Sequence, residues 1–245
     1  MTVTHVGAQP RIAAEHAFFG AMSFTLLLVV CSGFSRTFLL HRWFPEVRRP
    51  SEPFFAIHGF VFLSWFVLLS VQSALVAQRR VAVHRRLGVL GGVLATAMVI
   101  LGIIGAVISA RRPGGFTGVP VPPQQFMAIP FFDMVVFSSI IGTGFALRRD
   151  RAAHKRLMLI GSIALITAAL ARWPPLFRAG PPAFFGVTDL FLLPLIAWDV
   201  VSRRRLHPAT LWAGLALVIS QPLRLVVSGT PAWLSFAGWL SSLPG

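Results

Sequence analysis

Six ionisable side chains stand inside or at the edges of strongly apolar segments, where a charge is costly to place. They are three arginines, two aspartates and one histidine: Arg36, His58, Asp133, Arg172, Asp189 and Arg224. An ionisable residue in such a segment is a functional-site hypothesis by default. Guanidinium groups match carboxylate and phosphate geometry, aspartates supply counter-charges, and a histidine can transfer a proton near neutral pH. The set predicts an outward-facing polar cavity that binds a small anionic or zwitterionic molecule.

The same six residues also have a purely structural interpretation. Arginine–aspartate pairs between neighbouring helices satisfy each other and hold the helices together without any ligand. An arginine near the end of a helix can extend its charged head to the lipid headgroups instead. The sequence leaves both interpretations open.

Seven apolar segments must position these side chains, because about 20 apolar residues in a helix cross the core of a bilayer. The predicted spans are residues 17–40, 54–77, 87–110, 126–147, 157–173, 183–201 and 209–228. The chain is 56% hydrophobic and only 12% charged, whereas a soluble domain is about 25% charged. We therefore predict an all-α bundle of seven transmembrane helices, one leading helix plus three hairpins, forming a single domain over residues 1–229.

The loops between the spans alternate in charge. The loops after the second, fourth and sixth spans are short and strongly basic, and they lie on the same side of the bundle as Arg11. This side holds 13 Lys and Arg residues, whereas the other side holds 9. The positive-inside rule places the richer side in the cytoplasm. The N-terminus is then cytoplasmic, the C-terminus outside, and the expected location is the inner membrane of a bacterium. The net charge of +15 is thereby explained by topology and lipid contact, without nucleic acid.

Residues 230–245 form a separate C-terminal segment. Thr230 followed by Pro231 is typical of a helix start, with the threonine as the cap. Trp233, Phe236 and Trp239 then recur at helical spacing without any charge. An amphipathic helix in the outer membrane interface is the prediction, and a helix packed on the bundle is the alternative.

The three predicted hairpins share a repeated pattern of a basic pair, a tight turn and a histidine. The histidines that open the returning helices are His84, His154 and His207. Two facing imidazoles, His84 and His154, are a possible ligand pair for haem b iron, with neighbouring arginines on the propionates. Against this, both histidines open helices in the headgroup zone, where a haem would be poorly enclosed.

Several of these runs resemble a family of uncharacterised bacterial multi-pass membrane proteins. They are His58-Gly59, His84-Arg85-Arg86-Leu87-Gly88, His154-Lys155-Arg156-Leu157-Met158 and His207-Pro208-Ala209-Thr210. The resemblance extends from about residue 40 to residue 228, and it implies a membrane bundle without implying an activity. More distantly, the histidine-then-basic helix starts look like membrane proteins of haem handling and cytochrome oxidase assembly.

Known catalytic and metal signatures are missing from the sequence. Cys31 is the single cysteine, and there is no His-Glu-x-x-His or Gly-x-Ser-x-Gly motif. The single lysine, Lys155, falls at a turn, which excludes a retinal protein because its Schiff base needs a lysine within a span. The leading prediction is a carrier, receptor or enzyme with the polar cavity and no cofactor. The alternatives are a haem protein and a structural subunit that packs against partner membrane subunits or copies of itself.

Overall fold

The computed structural model describes residues 8–47, 53–112, 115–116 and 121–243 of the chain. In these residues it contains helices and connecting turns and no β-strand. Seven helical segments are long and apolar enough to cross a membrane: Ile12–Leu39, Pro53–Ala77, Val81–Arg111, Pro123–Ala146, Arg151–Leu170, Pro181–Arg203 and Pro208–Ser228. They correspond one to one to the predicted spans, so the seven-helix bundle is confirmed and the protein is a multi-pass membrane protein.

The helices follow one another through short turns. A π-helical turn Ser35–Leu39 and a 3₁₀ turn His41–Trp43 follow the first helix. The α-helices are α1 Ala8–Phe34, α2 Pro53–Ala77, α3 Val81–Arg111, α4 Pro123–Phe126, α5 Ala128–Ala146, α6 Arg151–Leu170, α7 Pro174–Ala179, α8 Pro181–Leu190, α9 Leu193–Arg203, α10 Pro208–Ser228 and α11 Pro231–Ser242. We call the end with the turns at 78–80, 147–150 and 204–207 the basic end, and the other the opposite end.

Helix α6 is the centre of the bundle and packs against α1, α5, α8 and α10. In its most apolar stretch 78% of the residues are buried, against 44% or less in each of the other spans. Close packing on α1 depends on Gly33, because a Cβ at this position would overlap the backbone of Ala169. Small residues that let backbones approach are a common basis of helix association in membranes.

Span five begins earlier than predicted, at Arg151 rather than at residue 157. The first turn of α6 is capped by the Asp150 side chain, which accepts hydrogen bonds from the amides of Ala152 and Ala153 at 2.9 and 3.0 Å. Arg156 is only 1% exposed, so this basic residue belongs to the interior of the bundle. Lys155 was predicted to lie at the turn but belongs to α6 and to span five, so assigning every basic residue here to the loop made the predicted span too short.

Span six is not the continuous helix that the sequence predicted. It divides into α8 and α9, joined by a turn at Phe191 and Leu192. Pro194 lies in the first turn of α9 and has no amide hydrogen, so it cannot donate to the Leu190 carbonyl in a continuous helix. Helix α8 has 10 residues and is about 15 Å long, half of a 30 Å hydrocarbon core. The break therefore falls near the middle of span six.

The outer faces of the spans carry large apolar side chains. Phe60, Val89, Val201 and Val226 are 68–78% exposed. Exposure of this much apolar surface to water would be unfavourable, whereas contact with lipid chains is not. These faces are therefore the lipid contact of the bundle.

Helix α11 begins as predicted, with Thr230 accepting from the Trp233 amide at 3.3 Å. Trp233 and Ala237 are buried in a small cluster with α3 and α5 residues. Arg111, at the end of α3, donates to the Ser241 carbonyl at 2.7 Å and to the carbonyls of Leu240 and Leu243. The helix is thus docked on the bundle by one face, and its place at the membrane interface stays a prediction.

Candidate binding site at the break in span six

An ion pair between Asp133 and Arg224 joins α5 to α10 in the half of the bundle nearer the opposite end. The Arg224 Nη1 donates to Asp133 Oδ1. The other guanidinium nitrogens donate to Ser220, Nε to its carbonyl at 3.2 Å and Nη2 to its Oγ at 3.0 Å. Arg224 is 2% and Asp133 8% exposed. Both charges are therefore desolvated, and each is stabilised mainly by the other.

Helix α8 places two more side chains against the same face of α10. Asp189 Oδ1 accepts a hydrogen bond from the Gln221 carboxamide at 2.9 Å. One turn earlier on α8, the Phe185 ring lies under the Arg224 guanidinium, 5.4 Å from its centroid. Three helices thus meet through polar contacts, α5 by Asp133, α8 by Asp189 and α10 by Gln221 and Arg224.

Asp189 is the penultimate residue of α8, so its carboxylate lies beside the break in span six. In the part of the chain that the structure describes, its hydrogen-bond partner is the amide of Gln221, and it forms no ion pair. The C-terminal end of a helix carries partial negative charge. A carboxylate at this place creates a locally negative site within the span, which favours a cation, an ammonium group or a proton.

The six predicted ligand residues do not all converge. Asp133, Asp189 and Arg224 come together, whereas the other three have separate partners. Arg36 pairs with Glu46 at 3.2 Å, and both side chains are more than half exposed. Arg172 lies over Phe34 at 4.0 Å and donates to the Ala168 carbonyl.

His58 is held away from the three-helix site by α3. Its Nδ1 lies 3.3 Å from the Leu101 carbonyl, and its ring stacks on Phe62 with centroids 4.2 Å apart. A carbonyl only accepts, so this contact requires a hydrogen on Nδ1. Similar depth along the spans, the basis on which the sequence grouped the six residues, does not determine which helices are neighbours.

A second buried ion pair, near the basic end, was missed by the sequence reasoning. Arg156 of α6 donates to Asp199 of α9 through Nε at 3.0 Å and also through Nη2. Asp199 also accepts from the Thr210 hydroxyl at 2.6 Å and the His207 amide at 3.2 Å. The available signal was Asp199 itself, one of only seven acidic residues and placed within an apolar run.

The predicted haem ligands His84 and His154 do face each other at the basic end. Each is the fourth residue of its helix, α3 and α6 respectively. Their ring centroids are 6.5 Å apart, with planes nearly perpendicular at 86°. His207, the third repeated histidine, instead caps α10, and its Nδ1 accepts from the Ala209 amide at 3.1 Å.

Comparisons with known proteins give this chain no relative. No protein-family model, curated protein or solved structure matches it. The resemblance to bacterial multi-pass families stays a prediction, and function must be argued from the geometry.

Proposed function

We propose that the protein is a carrier for a small polar solute, with its binding site at the break in span six between α5, α8 and α10. The observation that supports this most is Asp189, a carboxylate beside the break in span six, which among the described residues is bonded to the Gln221 amide and forms no ion pair. Carriers commonly bind their substrates and coupling ions at such discontinuous helices, where backbone groups are released from the helical ladder.

The chemistry of the site favours a zwitterionic substrate. Asp189 and the C-terminal end of α8 attract an ammonium group. Arg224 can bind a carboxylate or phosphate, provided that the substrate replaces Asp133 as its partner. The Asp133–Arg224 ion pair is formed in this structure and holds α5 against α10. Exchange of this pair for the substrate would then couple binding to movement of α5 relative to α10.

The orientation follows from the distribution of charge. The basic end faces the cytoplasm of a bacterial cell, because 13 of the 22 Lys and Arg residues belong to that side. The Asp133–Arg224 pair then lies toward the outside and the Arg156–Asp199 pair toward the cytoplasm. In the proposed carrier the two pairs act as opposed gates, one on each side of the break in span six.

The experiment is a thermal-stability screen of the purified protein against small amino acids, amines and phosphorylated amines. Each zwitterion is paired with an analogue that lacks one of its charges. A ligand present at 100 times its Kd stabilises by about 2.7 kcal/mol, enough to move the melting temperature by several degrees. We expect stabilisation by a zwitterion that is lost in Asp189→Asn and kept in Asp150→Asn, an exposed aspartate. Equal stabilisation of both variants would contradict the proposed site.

A further inference from the structure

His84 and His154 form a pair that the proposed carrier site does not use. The two rings approach from different hairpins, with His84 at the start of α3 and His154 at the start of α6. Nitrogen–metal bonds of about 2.0–2.1 Å on opposite sides of one metal would place two imidazole centroids about 6.4 Å apart. The observed separation is 6.5 Å. The spacing of the two rings therefore leaves room for one metal ion between them.

The orientation of His154 is fixed by its own hairpin. Its Nδ1 lies 2.8 Å from the Gly144 carbonyl, near the end of α5. Because a carbonyl only accepts, Nδ1 carries the hydrogen and Nε2 keeps its lone pair. A backbone carbonyl that holds the second ring nitrogen is the usual support of a metal-binding histidine.

One ring nitrogen of the pair lacks a hydrogen bond. His84 Nδ1 is shielded from solvent without a hydrogen-bond partner among the residues that the structure describes. Buried polar atoms without partners are rare and require an explanation. A cation bound between the hairpins provides one, since it would accept the lone pair of this nitrogen.

The chemistry of the pair narrows the kind of metal. Imidazole nitrogens suit copper, zinc and iron, whereas calcium and magnesium require several oxygen ligands. Arg85 is the charged neighbour of His84, and positive charge there disfavours a highly charged ion. Two imidazoles without a third His, Cys, Asp or Glu ligand among the described residues suit two-coordinate monovalent copper rather than zinc, which takes four ligands.

We propose that His84 and His154 bind one monovalent copper ion between the α2–α3 and α5–α6 hairpins. The neighbouring groups leave less room for the macrocycle of a haem. Phe145 has its ring centroid 6.5 Å from that of His154, and the Gln72 side chain lies against Gly88. A porphyrin extends in every direction around the axis between its two ligands and needs more space beside the pair than an ion does.

The experiment measures copper retained by the full chain in detergent. The protein is stripped with a chelator, given one equivalent of Cu⁺ under anaerobic reducing conditions, and challenged with bicinchoninate. We expect about one copper per chain, with an affinity at least tenfold lower in His84→Ala and in His154→Ala. His16→Ala, a histidine of α1 outside the pair, is the matched control and should bind like the parent. Copper binding that is unchanged in both pair variants would overturn the proposal.

Two further measurements test the proposal if a variant fails to fold and distinguish copper from haem. X-ray absorption of the copper-loaded parent protein should show two imidazole nitrogens on the metal, and a different ligand set would contradict the site even if a variant misfolds. The second measurement is a titration of the parent and of both pair variants with haemin. A Soret band that appears in the parent and disappears in both pair variants would assign the pair to haem iron and overturn the proposal of a copper ion.

Discussion

Arg156 and Asp199 form an ion pair that is closed to solvent on all sides, with exposures of 1% and 0%. The Asp199 carboxylate accepts from Arg156 of α6, and from the Thr210 hydroxyl and His207 amide at the start of α10. One carboxylate on α9 therefore joins three spans at the basic end. Every strong donor around it is satisfied, so removing one partner leaves a buried charge alone.

Replacing Asp199 by Asn should destabilise the protein strongly. Asparagine keeps the size of the side chain but leaves the Arg156 charge uncompensated, at a cost of about 3–5 kcal/mol. The measurement is thermal or denaturant unfolding in detergent. The double variant Arg156→Met, Asp199→Asn should recover most of the loss, because it removes both charges and keeps an amide oxygen that accepts from Thr210 and His207. A double variant that is less stable than Asp199→Asn would show that the charge pair itself is not the cause.

The seven spans could be predicted because lipid imposes a length and a composition on every crossing helix. The start of α11 was also predictable, since Thr230 and Pro231 carry the capping signal locally. The break in span six was missed although Pro194 marks it, because apolar composition continues across the turn. Contacts between side chains of different helices, such as Gln221 with Asp189, depend on which helices are neighbours. Neighbouring helices cannot be identified from the apolar pattern of a single sequence.

Gly33 is predicted to be intolerant of even one added methyl group. Alanine in a helix is normally more favourable than glycine by about 1 kcal/mol. At Gly33 the Cβ would overlap the Ala169 backbone, and overpacking of this kind costs about 1–3 kcal/mol. Gly20, on the same helix, has nothing within 4 Å of its Cβ position. Unfolding should therefore show Gly33→Ala destabilised and Gly20→Ala unchanged or stabilised, and equal effects would refute the close approach of α1 to α6.

The free energy of unfolding should decrease as the pH is lowered below about 6.5, because His207 is protonated less readily in the folded protein. Burial lowers the pKa of His207 below its usual 6.5, and the charges of Arg156 and Arg203 lower it further. The unfolded chain then binds the proton more readily than the folded one, so stability is complete above pH 6.5 and decreases as the pH falls toward the folded pKa. Protonated Nδ1 also cannot accept from the Ala209 amide.

The variant His207→Asn isolates this effect. Asparagine is a good helix cap and does not titrate. The difference in unfolding free energy between the parent and the variant should be constant above pH 7 and should change in favour of the variant as the pH falls below about 6.5. A difference that is independent of pH would assign the acid sensitivity to other groups.

Arg111 should control how firmly α11 is docked. Its guanidinium satisfies carbonyl groups at the C-terminal end of α11, which have no partners within the helix. Arg111→Ala should raise the rate of chymotrypsin cleavage after Trp239 or Leu240 by about tenfold, since charge-assisted hydrogen bonds contribute about 1.5–3 kcal/mol. Arg178→Ala, an exposed arginine of α7, is the control. Cleavage at the parent rate would mean that Trp233 and its cluster dock the helix without Arg111.

The carrier proposal requires that water reaches the break in span six at some stage of transport. Leu192 lies in the turn of the break and is 4% exposed, whereas Ile163 is fully buried in the middle of α6. In a Cys31→Ala background, single cysteines at these two positions can be compared for labelling by a membrane-impermeant thiol reagent in proteoliposomes. The account predicts that Leu192→Cys reacts at least ten times faster than Ile163→Cys. Equal protection of both cysteines would contradict the carrier and favour a structural subunit.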